Sequence, residues 1–221
     1  MHTILFDIDG TLIQTKGAGF VAMRIALSEL FGVVEIPDVP VHGRTDRGIV
    51  EDIFDHASLD YPQHYDSFSS LYWSYLPEAL RKTPGTVLPG VVDLLAELNQ
   101  TEGFSLGILT GNAQRAAEIK LQHFGLESFF DFGGYGDDHA CRNEVARLAW
   151  DSAQEFLGDR FDPANVWVVG DTVNDIRCAR AIDSRVAAVE TGGSSRAELI
   201  AAQPDAQFSQ LDRDAFMNLF K

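Results

Sequence analysis

Asp7 and Asp9 stand two positions apart at the end of a short apolar run, and Gly10 and Thr11 follow at once in "LFDIDGTLIQT". Similar residues close two later apolar runs. Thr110, Gly111 and Asn112 follow Phe104–Leu109, and Gly170, Asp171, Thr172 and Asp175 follow Val166–Val169. Taken singly, each group reads as a turn or a helix cap. Together, at equivalent ends of neighbouring strands, they read as one site, because an open parallel sheet binds ligands beyond the carboxyl ends of its strands. Two carboxylates about 5 Å apart at an effective dielectric near 20 repel by about 3 kcal/mol. Asp7, Asp171 and Asp175 therefore call for protonation or a bound cation. Oxygen ligands of this kind suit Mg²⁺, which binds through one or two carboxylates plus a substrate phosphate. A histidine-bound transition metal fits poorly, since the only His near these strands, His2, lies at the wrong end.

This set suits phosphoryl transfer. A carboxylate can attack phosphorus and form an acyl phosphate, which splits hydrolysis into two steps. A metal ion would screen the repulsion between that carboxylate and the anionic phosphate. An acid two residues further along an extended chain points the same way, so it can protonate the leaving oxygen and later activate water. Thr110 and the amides after it, at a helix N-terminus, can hold phosphate oxygens. One positive charge is still needed to balance the transition state.

The elements that position these residues alternate along the chain. Thr3–Phe6, Phe104–Leu109 and Val166–Val169 read as strands covered on both faces, because none alternates apolar with polar. Arg185–Val189 and Ala206–Phe208 read as two more. Helical patterns cover Gly90–Leu98 with Pro89 in its first turn, Ala113–Phe124 with Asn112 as N-cap, Asn143–Phe156, Asp175–Ala181 and Ser195–Ala202. Alternating strand and helix predicts an α/β, doubly wound parallel sheet. Residues 16–83 break the alternation with helical segments Phe20–Phe31, Asp46–Phe54 and Gln63–Leu80. The expected organisation is a catalytic core of residues 1–15 and 84–221, interrupted by an all-helical insert. Tyr61, Tyr65, Phe68, Tyr72 and Tyr75 recur at helical spacing, which predicts packing between insert helices.

The 221 residues carry a formal net charge of −16. Nucleic acid and anionic membrane are poor partners for such a chain. A small anionic substrate would need a locally positive pocket or a metal. The two cysteines, Cys141 and Cys178, form no CxxC pair and are expected as free thiols. The apolar N-terminal run is broken by Asp7 and Asp9 and lacks a basic start, so the expected location is cytoplasmic.

"DIDGT" (Asp7–Thr11), "LTGN" (Leu109–Asn112) and "VGDTVND" (Val169–Asp175), in that order, resemble the motifs of the haloacid dehalogenase superfamily. The match is to its phosphoglycolate phosphatase-like branch, in which a helical cap sits where this chain carries its insert. The resemblance implies a Mg²⁺-dependent hydrolase of small phosphorylated metabolites. It implies Asp7 as nucleophile and Asp9 as general acid/base, with the Asp9 backbone carbonyl also on the metal. Asp171 would be the remaining direct ligand, and Asp175 a looser one or an orienter of metal-bound water. Thr110 and the Gly111–Asn112 backbone would bind phosphate. The family usually places a lysine on the helix before the last motif. Here "GDDHACRNEVARLAW" has none, and Arg142 is the expected replacement, ahead of Arg147. Haloacid-cleaving relatives lack an acid at the place of Asp9, so its presence favours phosphate chemistry. The loop "VHGRTD" (Val41–Asp46) implies Arg44 as a cap residue that meets the substrate's non-reacting anionic end; Arg24, Arg47 and His42 are weaker candidates. A phosphosugar mutase would use the same acids. A receiver-type signalling domain or an inactive phosphate-binding relative are the alternatives of another class.

Overall fold

The computed structural model of the protein describes residues 1–36 and 39–221. In chain order the strands are β1 (His2–Phe6), β2 (Ile13–Gln14), β3 (Thr86–Val87), β4 (Phe104–Leu109), β5 (Phe132–Gly134), β6 (Val166–Gly170), β7 (Arg185–Val189) and β8 (Ala206–Phe208). The α-helices are α1 (Ala18–Phe31), α2 (Asp46–His56), α3 (Tyr61–Lys82), α4 (Val91–Gln100), α5 (Gln114–Phe124), α6 (Arg142–Leu157), α7 (Val173–Arg180), α8 (Arg196–Ala201) and α9 (Arg213–Met217). One sheet has the order β5-β4-β1-β6-β7-β8, and each pairing in it is parallel.

The register of this sheet assembles the site. Phe6 at the end of β1 pairs with Ile108 of β4 and with Val169 of β6. Asp7, Thr110 and Asp171 therefore leave three neighbouring strands at nearly one level. From β1 the chain builds β4 and β5 on one side, then crosses to β6 on the other. That change of direction opens a crevice above β1, where such sheets bind ligands.

Alternate residues of the strands face opposite layers. Ile4, Phe6, Ile108 and Val169 pack with Leu94 and Leu95 of α4 and Phe216 of α9. Leu5, Val168 and Val186 pack with Val145 and Ala149 of α6, Ile176 of α7 and Leu199 of α8. Both faces are covered, as the unbroken apolar runs require.

Residues 16–83 hold α1, α2 and α3. Their core is Ala22, Met23, Leu27, Ile53, Phe54, Phe68, Tyr72 and Leu76, and Ala113 joins it with Ala116 and Ile119 of α5. The aromatic stripe of α3 is packing: Phe68 and Tyr72 are buried, and Tyr61 and Tyr65 are partly buried beside them. Tyr75 donates its hydroxyl proton to Glu29 of α1. The chain leaves the sheet through β2 and returns through β3, and these two strands pair antiparallel, Ile13 with Val87 and Gln14 with Thr86.

Three local expectations change. Helix α4 begins at Val91, after Gly90 in the left-handed region at φ 81°, so Pro89 precedes the helix rather than filling its first turn. Asn112 does not cap α5. The residue before that helix is Ala113, and Asn112 turns its amide into the crevice. Strands β2, β3 and β5 were not expected, because two or three residues carry no readable period.

Candidate active site

The first turn after β1 is built around Asp171. Gly10 has φ +86°, and a Cβ there would come within 2.5 Å of Asp171 Oδ2. Only glycine meets both demands. Thr11 Oγ1 donates to Asp171 Oδ1 at 3.1 Å, and the Gly193 N–H donates to Oδ2. Asp171 is thus held by the turn of the first motif and by the loop after β7.

Asp175 sits in the first turn of α7 and forms a reciprocal cap with Thr172. Its Oδ2 accepts from the Thr172 N–H at 2.9 Å and from the Thr172 hydroxyl at 2.6 Å. Its Oδ1 accepts from Arg142. Asp7, Asp171 and Asp175 each bring a ligand atom to a cluster spanning no more than 4.8 Å. All three are buried. Burial pushes the Asp7 carboxyl well up, Arg142 opposes this, and Asp175 and Asp9 add to it. Burial also pushes Asp171 up, and Asp175 and Asp7 add to it. Such a cluster holds protons tightly unless a cation replaces them. The donor set is all carboxylate oxygen, which fits Mg²⁺. Asp7, Asp171 and Asp175 are the residues that bring ligand atoms to it.

Arg142 opens α6 and is buried. Its Nη2 pairs with Asp175 and lies 3.3 Å from Asp7 Oδ1. Burial disfavours its charge, but Asp175 and Asp7 outweigh that and hold it firmly protonated. Its Nε is buried without a hydrogen-bond partner among the described residues. Arg147 lies on the exposed side of the same helix and pairs with Glu144.

Thr110, Gly111 and Asn112 follow β4 as a bonded unit. The Thr110 hydroxyl oxygen accepts from the Asn112 N–H at 3.3 Å and from Asn112 Nδ2 at 2.9 Å. Asn112 Nδ2 also donates to Asp9 Oδ2 at 2.8 Å. Thr15 Oγ1 donates to Asp9 Oδ1 at 3.3 Å. Burial raises the Asp9 carboxyl, but Lys120 and the hydrogen bonds from Lys120, Asn112 and Thr15 bring it below its ordinary value.

Lys120 was not anticipated. On α5 it is only 5% exposed, and its ammonium lies 2.5 Å from both Asp9 Oδ2 and Asn112 Oδ1. A signal was present. Ala113, Ala116, Ala117, Lys120 and Leu121 form one helical stripe, so this lysine interrupts an apolar face.

A cavity of about 390 Å³ lies between the sheet and the helical region. Asp7, Asp9, Thr110, Asn112, Lys120, Arg142 and Asp171 line the sheet side. Phe20, Met23, Val39, Val41, Ile49 and Tyr72 contribute apolar wall from the other side. Arg44 also lines it, but its guanidinium is engaged by Asp52 and by the Gly48 and Pro40 carbonyls. Arg24 lines a separate surface pocket, and Arg47 lies over the Tyr61 ring and pairs with Glu51.

A haloacid dehalogenase-like hydrolase family matches residues 1–183. A phosphoglycolate phosphatase of Synechococcus elongatus is 31% identical over 210 residues, covering 93% of this chain and 91% of that one. An N-acetylmuramic acid 6-phosphate phosphatase of Pseudomonas putida is 26% identical over 197 residues, covering 87% and 84%. The solved structure of CbbY from Rhodobacter sphaeroides with phosphate superposes with a TM-score of 0.76 at 21% identity, covering 96% and 95%, and so shares the fold. Among the described residues, no helix is long and apolar enough to cross a membrane. The motif order, the parallel sheet with its helical region and these matches establish that the chain belongs to the haloacid dehalogenase-like hydrolases and is a phosphatase of that family.

Proposed function

We propose that the protein is a Mg²⁺-dependent phosphatase that hydrolyses a small phosphorylated metabolite through an aspartyl phosphate on Asp7. The observation that carries this reading is the convergence of Asp7, Asp171 and Asp175 within 4.8 Å, beside Arg142 and at the base of a cavity between the sheet and the helical region.

Asp7 attacks phosphorus with a carboxylate oxygen. The bond from phosphorus to the substrate oxygen breaks, and Asp9, which takes up a proton once the anionic phosphate binds beside it, delivers that proton to the departing oxygen. Water then attacks the phosphorus of the acyl phosphate. Asp9 takes up its proton, inorganic phosphate leaves, and the Asp7 carboxylate returns. Thr110 and the Gly111–Asn112 backbone grip the phosphoryl oxygens, and the Arg142 guanidinium beside Asp7 balances their charge. Bound Mg²⁺ supplies charge neutralisation between nucleophile and phosphate. The helices α1–α3 act as the cap that excludes bulk water and sets substrate choice. Arg44 belongs to that cap, and its use on a substrate anion would require exchange of its partner Asp52.

The two relatives named above act on phosphomonoesters of small carboxylated molecules, and this supports a substrate of that size. Release of inorganic phosphate is measured from a panel of phosphomonoesters, with Mg²⁺ and with chelator. Release that depends on Mg²⁺ and is lost in Asp7→Asn supports the reading. Isomerised phosphosugar with no free phosphate would make the protein a mutase instead.

A further inference from the structure

We propose that Lys120 is a positioning residue that fixes which oxygen of Asp9 meets the substrate. This rests on the phosphatase reading above.

Burying an ammonium is costly unless it is paired and hydrogen-bonded. The partners of Lys120 are both in the site: Asp9 Oδ2 and Asn112 Oδ1, each at 2.5 Å. Asn112 in turn donates to the same Asp9 Oδ2 at 2.8 Å and to Thr110 at 2.9 Å. Lys120, Asn112 and Asp9 close a triangle that ties the general acid/base to the phosphate-binding loop.

The two oxygens of Asp9 are therefore unequal. Oδ2 takes two short bonds from α5 and the loop before it. Among the described residues, Oδ1 has only the long bond from Thr15, at 3.3 Å. The Asp9 side chain is still 37% exposed and lines the cavity. Oδ1 is the oxygen left to exchange a proton with the leaving group. Without Lys120, the carboxylate could rotate and Asn112 would lose the bond that sets its amide. Among the hydrogen bonds of the described residues, Lys120 reaches Asp9 and the Asn112 side chain but not Asp7, so it acts on the reaction through these two partners.

Proton delivery matters for an alkoxide leaving group and little for p-nitrophenolate, which leaves unaided. The test compares kcat/KM, which reports steps up to loss of the leaving group, for glycerol 2-phosphate and p-nitrophenyl phosphate. Glycerol carries no charge, so a lost cation cannot weaken recognition of the leaving group. For Lys120→Met we expect a fall of about 100-fold on glycerol 2-phosphate and less than about threefold on p-nitrophenyl phosphate. Retained aryl phosphate turnover also shows that the variant folds. Lys120→Arg is expected to recover at least about tenfold on the alkyl ester, because it restores a donor to Oδ2. Equal losses on both esters, no loss on the alkyl ester, or no recovery by Lys120→Arg would overturn the proposal. Wild type inactive on both esters would instead overturn the phosphatase reading beneath it.

Discussion

Asp46, in the first turn of α2, accepts a hydrogen bond from the Ala113 N–H at 3.0 Å, so a carboxylate of the helical region holds the turn that leads into α5. The contact is reinforced by the Asp46 N–H, which donates to the Gly111 carbonyl at 2.6 Å. Burial pushes the Asp46 carboxyl up to about 6, against the pull of Lys120 and the Ala113 bond. Its folded value lies above its unfolded value. The stability it contributes is then fully present below about pH 4 and lost as pH rises through about 6. Asp46→Asn keeps an acceptor and removes the charge. The variant is expected to exceed wild type in stability by on the order of 2 kcal/mol at pH 7.5, with the gap closing towards pH 4. Urea unfolding at both pH values checks this, and a gap that ignores pH would contradict it.

Arg142 and Arg147 lie on one helix but differ in surroundings. Arg142→Ala leaves Asp7 and Asp175 buried without their cation. We expect a loss of about 100-fold or more in kcat/KM, and destabilisation of about 3 kcal/mol. Arg147→Ala removes an exposed pair with Glu144 and is expected to change activity less than twofold. Steady-state kinetics and denaturant midpoints of both variants would show the contrast.

The carboxylate cluster links metal binding to pH. Burial and mutual repulsion raise Asp7 and Asp171, so protons compete with the metal. Apparent Mg²⁺ affinity should therefore rise as pH increases from about 5.5 to 8. Mg²⁺ should also raise the thermal unfolding midpoint of wild type, and do so much less for Asp171→Asn. Titration calorimetry at several pH values and thermal scans with and without chelator read both effects.

Gly111 joins the two regions at close range. A Cβ there would run into the Arg44 carbonyl in the loop before α2. Gly111→Ala should push that loop off the phosphate-binding turn. It is expected to raise KM by about tenfold for a phosphomonoester, because substrate binding energy is spent on closing the cavity. An unchanged KM would show that the close approach is not needed for binding.

Much of the site was legible because its residues sit at strand ends. Apolar runs located β1, β4 and β6, and the parallel register then brought Asp7, Thr110 and Asp171 level. Asp175 and Arg142 lie in first turns of helices, and their expected roles came from the family resemblance rather than from any helical pattern. Lys120 escaped because its role depends on which side of α5 faces Asp9, a tertiary fact that the stripe of alanines only hints at. The cap of α5 was misread for a similar reason. Asn112 has a capping side chain, but Asp46, 67 positions away, takes the Ala113 N–H and frees Asn112 for the crevice. Strand β5 is too short to carry a period, and its glycines mask it further.

The central claim is that Asp7 carries the phosphoryl group. Acid quenching of turnover with isotopically labelled phosphomonoester, followed by mass spectrometry of peptides, locates any covalent phosphate. The account predicts a phosphorylated carboxyl at Asp7 that Asp7→Asn abolishes, with loss of phosphate release. Label on another residue, or turnover that survives Asp7→Asn, would contradict it.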